Sequence, residues 1–117
     1  MYQKLIYFFF VIFLFTSCAK KEVDLLTEPA DKELSFEIYQ EALDLIEAGN
    51  FFLAAKKFSE AEQILPTIDL SAKASLMSSY CLYLINFYTE ANAKLERFIV
   101  QYPTDKNISY AYDLLAI

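Results

Sequence analysis

Two cysteines, Cys18 and Cys81, are the strongest candidates for covalent chemistry in a chain of 117 residues that contains no histidine and one glycine. Without histidine there is no imidazole for acid–base catalysis and no His-containing metal site, and one glycine cannot build a glycine-rich phosphate loop. Acidic pairs such as Glu60/Glu62 and Asp44/Glu47 have the types needed for carboxylate chemistry. No nucleophile or apolar pocket accompanies them, so they read as solvated helix faces. Cys81 lies in an apolar stretch and reads as a small buried hydrophobe rather than a reactive thiol.

Cys18 stands in a different setting. Leu5 to Phe15 form an unbroken apolar run, with Lys4 and the amino terminus before it and Thr16-Ser17-Cys18 after it. Eleven residues are too few to span a bilayer, which takes about 20, but they match the core of an export signal, about 7–15 residues. Phe15-Thr16-Ser17-Cys18 resembles the lipobox of bacterial lipoproteins, with Phe15 where leucine is usual. The resemblance implies that residues 1–17 are removed and that Cys18 is acylated as the mature first residue. The alternative is ordinary cleavage leaving a free thiol. Each buried methylene adds about 0.8 kcal/mol and one chain alone binds reversibly, so the two or three chains of a lipoprotein anchor firmly. Ala19 replaces the aspartate that commonly retains such proteins in the inner membrane, which implies the outer membrane, periplasmic face.

Removal of residues 1–17 takes away Lys4 alone, leaving nine basic and sixteen acidic side chains and a net charge of −7. An acidic chain without a Lys/Arg stripe argues against nucleic acid and anionic membrane surfaces as partners. With Cys18 acylated, Cys81 has no partner for an intramolecular disulfide. No cofactor is implied.

The elements around these residues are helical. Ala54, Phe58, Ala61 and Pro66 recur as Ala91, Leu95, Phe98 and Pro103, each 37 residues later, and Pro29 falls in step. Steps of four, three and five are helical spacing followed by a stop, repeated as in a stack of helical hairpins, none of which buries its apolar face alone. Residues 18–33, polar and aperiodic, read as a lipidated flexible tether; residues 34–117 form the repeat domain. Asp31 or Ser35 would cap a first helix, with Ile38, Ala42 and Leu45 on its apolar face. Gly49-Asn50 closes it. A second helix covers about residues 51–65, a third 71–85 and a fourth 87–102. A fifth begins near Asp105 and reaches Ile117 without a stop signal, so the expectation is two hairpins and the start of a truncated third.

The hairpins resemble tetratricopeptide repeats, units of about 34 residues with small residues at helix crossings and a closing proline. Gly49, Phe51, Ala54, Phe58, Ala61 and Pro66 fall at signature positions, as do Asn86, Tyr88, Ala91, Leu95, Phe98 and Pro103. A closer resemblance rests on Tyr39 and Gly49-Asn50, on Ser71, Leu76, Tyr80 and Tyr83, on Arg97-Phe98-Ile99 before Pro103, and on Asn107-Ile108 with Tyr110. Their order, about twenty residues after a lipid anchor, is similar to the amino-terminal part of the BamD family of outer-membrane β-barrel assembly lipoproteins. Pro66-Thr67-Ile68-Asp69 lacks the aromatic usual after that proline, and Met77 replaces an acid.

In a tetratricopeptide array the first helices line the concave face, which here places Phe36, Tyr39, Leu43 and Ile46, then Lys73, Leu76, Tyr80 and Tyr83, then Tyr110 and Asp113 inward. Tyrosine rings offer apolar area with a hydroxyl for backbone bonding, which suits an extended peptide. The same tyrosines could instead serve packing. The resemblance implies an all-α, non-enzymatic periplasmic scaffold that binds unfolded barrel clients and sister assembly subunits. Two alternatives stay open: a cell-envelope coordinator of the kind that works with the Tol–Pal system, and a non-catalytic part of an enzyme whose site lies beyond Ile117.

Overall fold

The computed structural model describes residues 29–117; the signal segment, Cys18 and most of the expected tether lie outside the described residues. Five helices follow one another: α1 (Pro29–Glu47), α2 (Phe51–Ile64), α3 (Ile68–Leu84), α4 (Tyr88–Gln101) and α5 (Ile108–Leu115). No strand occurs among the described residues, and no described helix is long and apolar enough to cross a membrane. Each helix packs on the next, so α1/α2 and α3/α4 form two hairpins and α5 opens a third layer.

The 37-residue repeat is visible in backbone hydrogen bonds. At the first hairpin turn Asn50 N donates to Leu45 O and Gly49 N to Ile46 O; at the second Phe87 N donates to Leu82 O and Asn86 N to Tyr83 O. These crossed pairs satisfy the last carbonyls of α1 and α3, and they require one residue in the left-handed region. Gly49 (φ 76°) and Asn86 (φ 64°) supply it. The second helices end alike too, with Leu65 N donating to Ala61 O and Tyr102 N to Phe98 O.

Two starts differ from expectation. α1 begins at Pro29, inside the segment read as tether, because proline at a helix's first position has its φ preset and no N–H to leave unpaired. Ser35 is therefore not a cap. It lies buried inside α1, and its hydroxyl donates to Lys32 O (2.7 Å). α3 begins at Ile68 rather than near Ser71, since Thr67 Oγ1 accepts from Leu70 N and caps it.

The core follows the repeat with one change of size. Ala54 and Ala91 are fully buried where helices cross, while the pair Phe58/Ala61 in α2 becomes Leu95/Phe98 in α4, all four at 0 % exposure. The first position stays large, and the second changes from alanine to phenylalanine. Phe58 joins Ile38, Ala42 and Leu82 in one apolar cluster, and Phe98 joins Ala72, Leu76 and Leu114 in the next. Full burial of one such ring contributes roughly 1.5–3 kcal/mol, so each hairpin is held chiefly by its neighbour.

Candidate functional site

The residues expected to point inward lie on α1, α3 and α5. On α1, Phe36 is exposed, whereas Tyr39 is half-buried with its ring edge-on to Phe58 at 5.2 Å. Burial raises the Tyr39 hydroxyl pKa. Leu43 and Ile46 pack partly against the first core cluster. Tyr39 thus divides its surface between the groove and the contact with α2.

On α3, Tyr80 and Tyr83 are half-buried and Lys73 is exposed. Burial raises the Tyr110 hydroxyl pKa on α5, and Tyr80 and Tyr83 lie near enough to add to the rise through the repulsion between their ionised hydroxyls. These three residues, from two successive layers, are the members of the expected row whose hydroxyls act on one another. Leu76 does not join them: only 8 % exposed, it packs with Leu95, Phe98 and Leu114, and so belongs to the second core cluster rather than to the groove. Asp113 remains exposed on α5.

Two clefts open on the same helices. At the amino-terminal ends of α3 and α5, a polar cleft of about 610 Å³ is lined by Asp69, Leu70, Lys73 and Thr104 to Asn107. Lys73 and Lys106 both line this cleft and form no ion pair among the described residues. At the other end, Tyr83, Tyr88, Asn92, Leu114 and Ile117 line an aromatic and apolar cleft of about 430 Å³, where the Tyr83 and Tyr88 rings meet edge to face at 5.3 Å. Tyr88 stands in the sequence as a repeat signature position; its place in this cleft follows from the turn at Asn86, whose Oδ1 accepts from the Tyr88 hydroxyl at 2.6 Å.

The largest departure from the sequence reading lies on the opposite side of the stack. Glu62, read as part of a solvated face, is 8 % exposed and accepts hydrogen bonds from Arg97 Nη2 (2.7 Å) and the Tyr102 hydroxyl (3.0 Å) of the next hairpin. Burial first, and then the Glu62 carboxylate, push the Tyr102 hydroxyl pKa up to about 12. Beside this pair, Lys94 Nζ donates to Ser59 Oγ at 2.7 Å, and burial lowers its pKa, aided by the neighbouring Arg97. Cys81 is fully buried, as its apolar surroundings suggest, and burial pushes its thiol up to about 11. No cluster of three or more His, Cys, Asp or Glu side chains suited to a metal occurs among the described residues.

The chain is 35 % identical over 80 residues to the outer membrane protein assembly factor BamD of Caulobacter vibrioides and 32 % identical over 80 residues to that of Rickettsia prowazekii, in each case over 68 % of its own length. It spans 26 % and 32 % of those two relatives. No solved structure matches it significantly. The profile of YfiO, described as an outer membrane lipoprotein, matches residues 31–117, which takes in all of the helical repeat apart from the first two residues of α1. The chain belongs to this YfiO/BamD outer membrane lipoprotein family.

Proposed function

We propose that this chain carries the amino-terminal repeats of an outer-membrane protein assembly factor, a non-catalytic scaffold held to the periplasmic face of the membrane by acylated Cys18. In this reading residues 1–17 are the signal peptide, and the concave face binds extended segments of unfolded β-barrel clients while other surfaces meet sister assembly subunits. The observation that supports the client site is that α3 carries Lys73 in one cleft and Tyr83 in another, with Tyr80 half-buried between them in sequence and Tyr110 near enough to feel both tyrosines. Lys73 and Tyr83 are ten residues apart on α3, or about 15 Å at 1.5 Å per residue. An extended strand rises about 3.3 Å per residue, so a client whose terminal carboxylate meets Lys73 places an apolar residue four or five positions upstream at the Tyr83/Tyr88 cleft.

Energetics favour the rings over the charge. An ion pair at exposed Lys73 is worth about 0–1 kcal/mol, so affinity must come from aromatic burial and backbone bonds to the tyrosine hydroxyls. Fluorescence titration of a labelled carboxy-terminal barrel-strand peptide against the full-length protein tests this. The double variant Tyr80→Ala/Tyr83→Ala should weaken binding far more than Lys73→Ala does. Parent-like binding by a folded double variant would place the client elsewhere. The anchor is tested by mass spectrometry of the mature protein, where an unmodified Cys18 would refute it.

A further inference from the structure

α3 buries a run of small residues, Ala74, Ser75, Ser78 and Ser79, all at 0 % exposure, as are Ala54 and Ala61 of α2; Ala74 shares the first core cluster with Ala54 and Ala61. Such smooth surfaces pack closely but resist neither sliding nor rotation strongly, because apolar attraction has no direction. Of the three serines, Ser79 bonds back to its own helix at Ser75 O, and Ser75 Oγ has no hydrogen-bond partner. Ser78 alone reaches across, donating to Ala55 O at 2.8 Å.

Around that bond a directional chain forms. Lys94 Nζ of α4 donates to Ser59 Oγ of α2 (2.7 Å), Ser59 Oγ lies 2.8 Å from Ser78 Oγ of α3, and Ser78 donates to Ala55 O. Since the Ser78 proton is committed to Ala55, the Ser59 hydroxyl donates to Ser78 or to Ala55 O, 3.0 Å away. One turn further along α2, Glu62 holds Arg97 of α4 and Tyr102 just past its end. Two attachment points, about 4.5 Å apart along α2, stop α4 pivoting about either one.

We propose that this polar seam sets the angle between the hairpins and thereby the spacing of aromatic rings on the concave face, making Ser59, Glu62 and Lys94 positioning residues for ligand binding. Packed helix axes lie about 10 Å apart, so a rotation of roughly 10° about the seam displaces the neighbouring helix by roughly 2 Å. That exceeds the tolerance of a hydrogen bond and would change the spacing between Tyr39 on the first hairpin and Tyr80 and Tyr83 on the second. The ligand-binding half of this inference rests on the groove reading above; the geometric half does not.

The test is the full-length protein in detergent with spin labels on exposed positions of α1 and α5, introduced as Glu47→Cys and Ser109→Cys, read by pulsed electron resonance and by titration of the labelled strand peptide. Ser59→Ala/Lys94→Met should broaden or shift the distance distribution and weaken peptide binding at least tenfold while helix content is kept. Ser59→Thr/Lys94→Arg should restore both. An unchanged distance distribution in the alanine/methionine variant overturns the proposal, whatever happens to its melting temperature, and so does a shifted distribution with parent affinity. A parent that binds no peptide refutes the groove reading instead, and the distance measurement still decides whether the seam holds the angle.

Discussion

Replacing Glu62 with alanine removes one carboxylate shared by two partners from the next hairpin, and the structure separates their contributions. Arg97 makes the shorter contact, 2.7 Å against 3.0 Å for Tyr102, and it is the formal ion pair. Its side chain is nevertheless 50 % exposed, so on losing Glu62 it resolvates, and its coupling should be in the range of surface pairs, about 0.2–1 kcal/mol. Tyr102 is 7 % exposed, and its hydroxyl loses a bond to a charged acceptor with little access to water; that coupling should be about 1.5–3 kcal/mol. Hydrogen exchange of α2 and α4 amides in the full-length protein measures the local opening free energy without assuming that the whole array unfolds together. Double-mutant cycles pairing Glu62→Ala with Tyr102→Phe and with Arg97→Ala then report the two couplings. An arginine coupling equal to or larger than the tyrosine coupling would show that burial is not what decides this contact.

Three further outcomes follow from the same coordinates. Tyr102 has its hydroxyl pKa raised to about 12 from an unfolded value near 10, so its contribution is fully present below pH 10 and is lost as pH rises through about 12; the melting temperature should fall over that window less steeply in Tyr102→Phe. Cys81, fully buried with its thiol pushed to about 11, should react with a thiol reagent at pH 8 only as fast as its helix opens, and prompt labelling of the folded protein would contradict its packing. Gly49 has φ 76° with nothing within 4 Å of an added Cβ, so Gly49→Ala should cost about 1–2 kcal/mol from backbone strain alone, measured by urea titration. Gly49→Asn should cost less, because Asn86 already occupies the equivalent turn.

Much of the fold was legible because its determinants are local. Gly49 and Asn86 stop their helices through bonds reaching no further than five residues back, and prolines 37 residues apart mark where each hairpin hands over to the next. Alternation of small and large residues at one register gave the crossings, so Ala54, Phe58, Ala91 and Leu95 could be placed in the core from spacing alone. The errors at the helix starts have the same local origin. Pro29 and Thr67 carry ordinary start signals, but each stands in a polar, aperiodic stretch where the apolar pattern had not yet begun.

The face of a residue within a hairpin is a local property, but its surroundings across two hairpins are not. Leu76 and Tyr80 are four residues apart on α3 and share a helical side, yet Leu76 packs in the cluster of Leu95 and Phe98 of α4 while Tyr80 stays half-buried, near enough to Tyr110 of α5 to raise its hydroxyl pKa. Glu62 looks solvated beside Glu60 and Gln63, and becomes buried through Arg97 and Tyr102, 35 and 40 residues later. No periodicity encodes such contacts, because the repeat places Ile99 at the position of Glu62 and Glu96 at that of Ser59. The repeat fixes where each helix lies. The polar residues that break its symmetry decide how one hairpin is held against the next, and through that angle whether the tyrosines of separate layers face one another across a groove.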